Sequence, residues 1–362
     1  MRFICTSVSK TWKSLIQNPT FISTHLHHSH NKNQNLFLLS VSRIGKQFYT
    51  LHKEDDDDPD FIEYTSFDSP FHAPHLQHPH HRTYYACGTF NGLICLSYGL
   101  RNRAEVIFLW NPCVRKFLQL PYPDVTVGTH GASCTSFGFG FDPKTNDYKV
   151  VRILYILCGH LYLVKSRPVV DVYSLSTGEW RILSASASLP PICAVTSCSP
   201  PAFANGALHW IAVADDNKQF VLVFDLGDEV FRQILLPELP GEILWTRLSV
   251  YGNSIAVFYI TGGIDQMAQI SIWVMKEHGV ASSWTPFFTA DFDFGEAMIK
   301  PIGFRMNGDA VFVFGEGKLV SWNPESKEIK YLRMIGDDGT FIDSYIESLV
   351  LLDKATNVAV TY

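Results

Sequence analysis

The 362-residue sequence carries little charge of either sign, 29 Lys and Arg against 35 Asp and Glu, for a net of −6. It has no long basic tract, which argues against nucleic acid as the main partner. No apolar run approaches a membrane span, and Met1 to Lys10 lacks the uninterrupted apolar core of a signal peptide. The eight cysteines are scattered without a Cys-x-x-Cys pair, and the Asn18-Pro19-Thr20 sequon is blocked by its proline. These absences predict a cytoplasmic and/or nuclear protein with no membrane contact, whose cysteines serve as small core residues. Gly-x-Ser-x-Gly, the phosphate loop and His-Glu-x-x-His are missing too, so no enzyme motif, cofactor or catalytic residue is predicted.

What the chain does have is apolar residues (46%), with 26 Phe and 15 Tyr. Val106 to Pro121 reads as strand, tight turn and strand: β-forming Val106, Ile107 and Phe108, turn chemistry at Asn111-Pro112, and a stop at Pro121. The unit returns. Tyr173 to Trp180, Phe224 to Phe231 and Trp322 to Ile329 repeat the rise of seven from Trp110 to Phe117, and Trp273 to Trp284 reads as the same unit with its turn lengthened by Lys276 to Gly279. A weaker sixth copy runs from Leu36 to Val41 and turns at Arg43 to Lys46 into Gln47 to Tyr49. The anchors at 110, 173, 224, 273 and 322 step by 63, 51, 49 and 49. A period near 50 marks units that cannot bury their apolar faces alone.

Ahead of the hairpins lie further strand pairs, turning at Asn91-Gly92, Asp142 to Asn146, Asn205-Gly206, Gly252-Asn253 and Asn307-Gly308. Two hairpins per repeat make one four-stranded blade. The predicted fold is therefore all-β, a six-bladed, kelch-like β-propeller over residues 36–362. Ring closure is expected where the first outer hairpin, Leu36 to Leu51, meets an inner hairpin made of Ile346 to Leu352 and Val358 to Tyr362.

Residues 52–83 break the pattern. An acidic run, Glu54 to Asp58, precedes four prolines and five histidines (72, 75, 78, 80 and 81), which predicts a disordered insertion. Ser184 to Pro201 reads as a second such loop. A proline-broken loop holds no ligand at fixed geometry, so no metal site is predicted there or at His25, His27, His28 and His30. Gly138-Phe-Gly-Phe-Asp reads as a strand whose glycines admit a neighbour. Asp142, Asp171 and Asp225 read as turn caps.

Residues 5–16 form an amphipathic helix with Cys5, Val8, Trp12, Leu15 and Ile16 on one face, and Asn18-Pro19 opens a second helix carrying Phe21, Ile22 and Leu26. The stretch Phe3 to Leu26 resembles the second half of an F-box. The remainder resembles the plant F-box-associated, interaction-type domain, carried by Asn91-Gly-Leu-Ile-Cys-Leu, Leu109-Trp-Asn-Pro, Gly138-Phe-Gly-Phe-Asp-Pro with Asp147-Tyr-Lys-Val-Val, Val172-Tyr-Ser-Leu and Asn205-Gly-Ala-Leu-His-Trp, with Phe224-Asp-Leu, Ile272-Trp-Val-Met-Lys-Glu and Glu347-Ser-Leu-Val following in order. The resemblance implies a partial, helical F-box over 1–30, its first half having no counterpart here, and a propeller behind it. It further implies a substrate-recognition subunit of a cullin–RING ubiquitin ligase that performs no bond chemistry. Val8, Trp12, Leu15 and Ile16 would meet the Skp-type adaptor, and the propeller would hold a target protein. The alternative is a stand-alone propeller binding module that no longer assembles into a ligase.

Overall fold

The computed structural model describes residues 9–32, 36–43, 46–55, 58–71, 83–100, 103–124, 133–158, 163–164, 168–183, 189–192, 194–195, 200–214, 216–239, 242–262, 268–292, 299–336, 339–350, 352–353 and 359–362. Six antiparallel sheets form six blades. From the axis outward, blade 1 holds Phe341–Ser344, Leu36–Arg43, Lys46–Asp55 and Asp58–Phe67. Blade 2 holds Thr83–Phe90, Leu93–Leu100, Arg103–Asn111, Lys116–Gln119 and, outermost, Val360–Thr361. Blade 3 is built on Ser133–Asp142, Asp147–Cys158, Val169–Ser174 and Glu179–Ile182, and blade 4 on Ala202–Ala204, Ala207–Val213, Gln219–Asp225 and Val230–Leu235. Blade 5 holds Ile243–Tyr251, Ser254–Thr261, Ala268–Met275 and Trp284–Phe292, and blade 6 Ile299–Phe304, Ala310–Phe314, Lys318–Trp322 and Ile329–Ile335.

The rise of seven has a local cause. Trp110 and Phe117, Tyr173 and Trp180, Phe224 and Phe231, and Trp322 and Ile329 are directly opposed cross-strand pairs. The residue after each first member caps the turn with its side chain: Asn111 Oδ1 accepts from Cys113 N at 3.0 Å, Asp225 Oδ1 from Gly227 N at 2.9 Å and Asn323 Oδ1 from Glu325 N at 3.0 Å. Five residues after each first member the chain turns left-handed, at Arg115, Gly178, Glu229 and Lys327. Blade 5 departs from the expectation. Its longer turn sets Trp284 opposite Met275, while Trp273 faces Pro286 across a bulge.

The inner turns at Asn91-Gly92 (φ 49° and 76°) and Asn205-Gly206 (51° and 74°) are left-handed at both residues, as type I′ hairpins require. Gly138 and Gly140 are close-approach positions. A Cβ on Gly138 would stand 2.7 Å from Trp210 of blade 4, and one on Gly140 would stand 2.5 Å from Phe203. Buried side chains between adjacent blades make up the core; Trp110, Phe139, Tyr173, Trp210 and Phe224 are all at most 2% exposed.

Closure differs from the expected double hairpin. One strand, Phe341–Ser344, pairs with Leu36–Arg43 through Phe37↔Ser344 and Ser40↔Phe341, and Tyr345 N donates to Leu36 O at 2.8 Å. Leu36–Arg43 is a middle strand of its blade, because Asp58–Phe67 supplies the outer one. A single inner strand therefore completes the sheet. The expected insertion at 52–83 is corrected by the same fact: 52–55 and 58–67 are strand, and Pro59 is tolerated because it lies on the blade's outer edge. The histidine-rich 72–82 lies outside the described residues. The 184–201 loop is corrected in part, since Leu189, Ile192 and Val195 are buried in the core between blades 3 and 4.

After Tyr345 the chain crosses blade 2 instead of forming a hairpin. Asn111 Nδ2 donates to Val350 O at 2.9 Å, Lys116 pairs with Asp353, Val360 and Thr361 pair with Phe117 and Lys116, and Trp110 Nε1 donates to Tyr362 OH at 2.8 Å. Trp110→Ala should therefore cost about 3–5 kcal/mol of stability, the usual price of a buried aromatic. Tyr362→Phe, which removes only the indole's acceptor, should cost about 1 kcal/mol. Urea unfolding of both variants checks the pair, and an unchanged midpoint for Trp110→Ala would contradict this account of the blade.

Candidate functional site

Two helices precede the ring, α1 (Lys10–Ile16) and α2 (Pro19–Lys32). Ser9 caps α1, its Oγ accepting from Trp12 N at 3.2 Å, and Asn18 Oδ1 accepts from Thr20 N at 2.8 Å to open α2. Helix α2 is anchored. Ile22 packs against the core between blades 2 and 3, and His30 Nε2 lies 3.2 Å from Asn91 Oδ1 at the blade 2 inner turn. Helix α1 buries none of its residues, and Trp12 and Leu15 are each 51% exposed. Of the four expected adaptor contacts, Trp12, Leu15 and Ile16 lie on this helix, and Val8 lies outside the described residues.

The inner strands of the blades leave a central cavity of about 740 Å³, opening on the face that carries α2. Its rim is built from the inner turns Asn91-Gly92, Gly252-Asn253 and Asn307-Gly308, with His30 beside them. Phe90 and Phe203 meet edge to face at 4.8 Å, as do Tyr251 and Phe304 at 4.9 Å, and form aromatic walls. An adjoining depression of about 360 Å³, lined by Phe90, Phe141 and Phe203, widens the mouth. Deeper in, Arg247 is 4% exposed and its Nη2 donates to Ile302 O of blade 6 at 3.0 Å. Asp343, half-buried with protein around the lumen it faces, accepts from Thr89 Oγ1 at 2.7 Å and from Ser344 N at 2.8 Å. Burial pushes its carboxyl up to about 6, against the pull of those donors.

Polar contacts also join neighbouring blades. Lys149 Nζ donates to Asp142 Oδ2 at 2.8 Å, to Leu226 O at 2.7 Å and to Glu229 Oε1 at 3.1 Å, joining blade 3 to blade 4. Burial alone would raise the Asp142 carboxyl; hydrogen bonds from Lys149, Thr145 and Lys144 outweigh it and hold the group below the usual range. Asp142 and Asp225 cap turns as expected. Asp171 does not: Arg152 Nε donates to it at 2.7 Å within a buried ion pair. Blades 4 and 5 share a histidine pair. His209 is wholly buried, its Nδ1 lies 3.0 Å from Ala202 O, and its Nε2 lies 3.0 Å from His278 Nε2 on the lengthened blade 5 turn. With Nδ1–H donating to the carbonyl, Nε2 of His209 accepts and His278 donates. Loss of water around it pushes His209 down to about 4.

The F-box associated beta propeller domain model matches residues 34–289. The chain belongs to that family. F-box associated propellers are accompanied among its relatives by F-box protein CPR1 of Arabidopsis thaliana, 25% identical over 96% of this chain and 84% of that protein. F-box protein At3g07870 of the same plant is 32% identical over 54% of this chain and 48% of that protein. F-box/kelch-repeat protein At3g23880 is 27% identical, and the chain spans about half of its length, 52%. In this F-box associated propeller, reasoning from sequence missed the lumen residues Thr89, Arg247 and Asp343 and the His209–His278 contact. The available signal was weak: a lone arginine inside the apolar strand Ile243–Tyr251, and a turn longer than its repeats.

His209 and Asp343 pull stability in opposite directions. Because His209 is harder to protonate folded than unfolded, its contribution is complete above about 6.5 and falls as the pH drops toward about 4. Asp343 is easier to protonate folded, so its contribution is complete below about 4 and is lost as the pH rises through about 6. His209→Gln should therefore lose less stability than the parent between pH 7 and pH 4.5, by up to about 3 kcal/mol, and Asp343→Asn should lose more. Urea unfolding at the two pH values checks both signs.

Proposed function

We propose that this F-box associated propeller is the substrate-recognition subunit of a cullin–RING ubiquitin ligase, with α1 meeting a Skp-type adaptor and the propeller holding a target protein. The supporting observation is the contrast between the two helices. Helix α2 is fixed to the ring by Ile22 and His30, while α1 presents Trp12 and Leu15 to solvent from a fixed base. Exposed aromatic and leucine side chains together on one short helix are what a partner covers. Such a subunit performs no bond chemistry; it raises the ligation rate by holding the target near the transferring enzyme. The family membership and the F-box relatives support the same reading.

A second reading, a stand-alone binding module, draws on the ring itself. The closing strand pairs with blade 1 without help from either helix, so the propeller would keep its shape with no adaptor bound.

Adaptor capture separates the two. Immobilised Skp-type adaptor should retain the chain, and Trp12→Ala with Leu15→Ala should weaken retention at least about 30-fold, corresponding to about 2 kcal/mol for a central contact. The melting temperature should not move, because neither side chain is buried. Retention unaffected by the double substitution would place the adaptor surface elsewhere, and no retention of the parent chain would favour the stand-alone module.

A further inference from the structure

We propose that the central cavity receives a lysine side chain of a bound peptide, its ammonium at Asp343 and its aliphatic stem along the aromatic walls. This rests on the ring holding a peptide, which the ligase and stand-alone readings share, and not on adaptor binding. The cavity's volume, about 740 Å³, is in the range that holds small ligands or a peptide side chain. Its chemistry is graded along its depth. Phe90 and Tyr251 immediately precede the rim turns Asn91-Gly92 and Gly252-Asn253, so the mouth is aromatic. Thr89, which bonds Asp343, stands two residues before Asn91, about 7 Å down the strand at about 3.4 Å per residue. A group reaching Asp343 from outside therefore passes the aromatic walls first. A four-carbon stem ending in an ammonium suits that order: the rings cover the stem and attract a cation, and the carboxylate takes the charge.

The charges of the lumen select a cation. Among the described residues that line the cavity, the formally charged side chains are Arg247, Arg305 and Asp343. Both arginines are 4% exposed and held in the walls, Arg247 by Ile302 O at 3.0 Å and Arg305 by Ser321 Oγ at 3.3 Å, with Asp309 Oδ2 3.7 Å away. Asp343 differs. It is partly exposed to the lumen, and the groups that bond it, Thr89 Oγ1 at 2.7 Å and Ser344 N at 2.8 Å, are neutral. Among the described residues no cation pairs with it. Neutral donors hold a carboxylate in place without cancelling its charge, and burying that charge without a cation is costly. The rise of its carboxyl to about 6 reflects that cost. An ammonium in contact would supply the missing charge in a low-dielectric setting, where pairing is strong.

The test uses the full chain at about pH 7.5, where Asp343 is ionised, and two fluorescein-labelled pools of C-terminally amidated hexapeptides. Both pools are randomised among uncharged residues. One fixes lysine at a central position; the other fixes norleucine there, which keeps the stem and lacks the ammonium. Fluorescence anisotropy should show the lysine pool binding at least about ten-fold more tightly, as expected for one charge-assisted pair. Asp343→Asn should remove that preference, and Tyr251→Ala should weaken the binding of both pools. Equal affinity for the pools, a preference for norleucine, no binding of either at about 1 mM, or a lysine preference that survives Asp343→Asn would overturn the proposal. The comparison in the parent chain decides it even if Asp343→Asn fails to fold. A chain that binds neither pool yet retains the adaptor would keep the ligase reading and lose this one.

Discussion

The ring depends on one ladder, the antiparallel pairing of Phe341–Ser344 with Leu36–Arg43. Each other blade draws its four main strands from consecutive chain and can form locally. Blade 1 alone waits for a strand from the far end of the sequence. Until that strand arrives, blades 1 and 6 expose faces and edges that invite pairing with other chains. Contacts of such large sequence separation form late, because loop entropy opposes them before anything is gained. The last residues add a second fastening by a different route. Val360–Thr361 covers the outer edge of blade 2, and Tyr362 supplies the acceptor for the buried Trp110 indole.

Once closed, the ring has two unlike faces. Strands alternate in direction, so inner and outer hairpin turns emerge on one face, and connections between blades emerge on the other. Leu36 begins at the hairpin-turn face, which puts α2 there, beside Asn91 and the cavity mouth. The inner turns that rim the mouth, at Asn91-Gly92, Gly252-Asn253 and Asn307-Gly308, are short. A helix seated on that rim is held in a fixed direction relative to whatever the ring binds. In the ligase reading proposed above, proximity between adaptor and target would draw on that geometry.

Polar groups between blades do a different job from the apolar core. Apolar packing favours any arrangement that buries area, whereas Lys149 is satisfied only when Asp142, Leu226 O and Glu229 occupy their places. Leaving one of these buried groups unpaired would cost more than the contact contributes. The pairing therefore fixes the register of blade 3 against blade 4. His209 and His278 do the same between blades 4 and 5.

By itself the sequence determined whatever depends on neighbours within a few residues. The rise of seven from Trp110 to Phe117 encodes a capped turn with a left-handed fifth residue, and the Asn-Gly pairs encode type I′ hairpins. The six repeats, the blade architecture and the two helices followed from those local rules. Tertiary structure decided what joins distant residues. It chose Phe341–Ser344 as the closing strand, and one strand suffices because Asp58–Phe67 already supplies the outer edge of blade 1. An acidic run with a proline concealed that strand, since an edge position tolerates what a central one excludes. Tertiary structure also assembled the lumen. Thr89, Arg247 and Asp343 are far apart in sequence and share no spacing, and only the closure of six blades brings them around one axis.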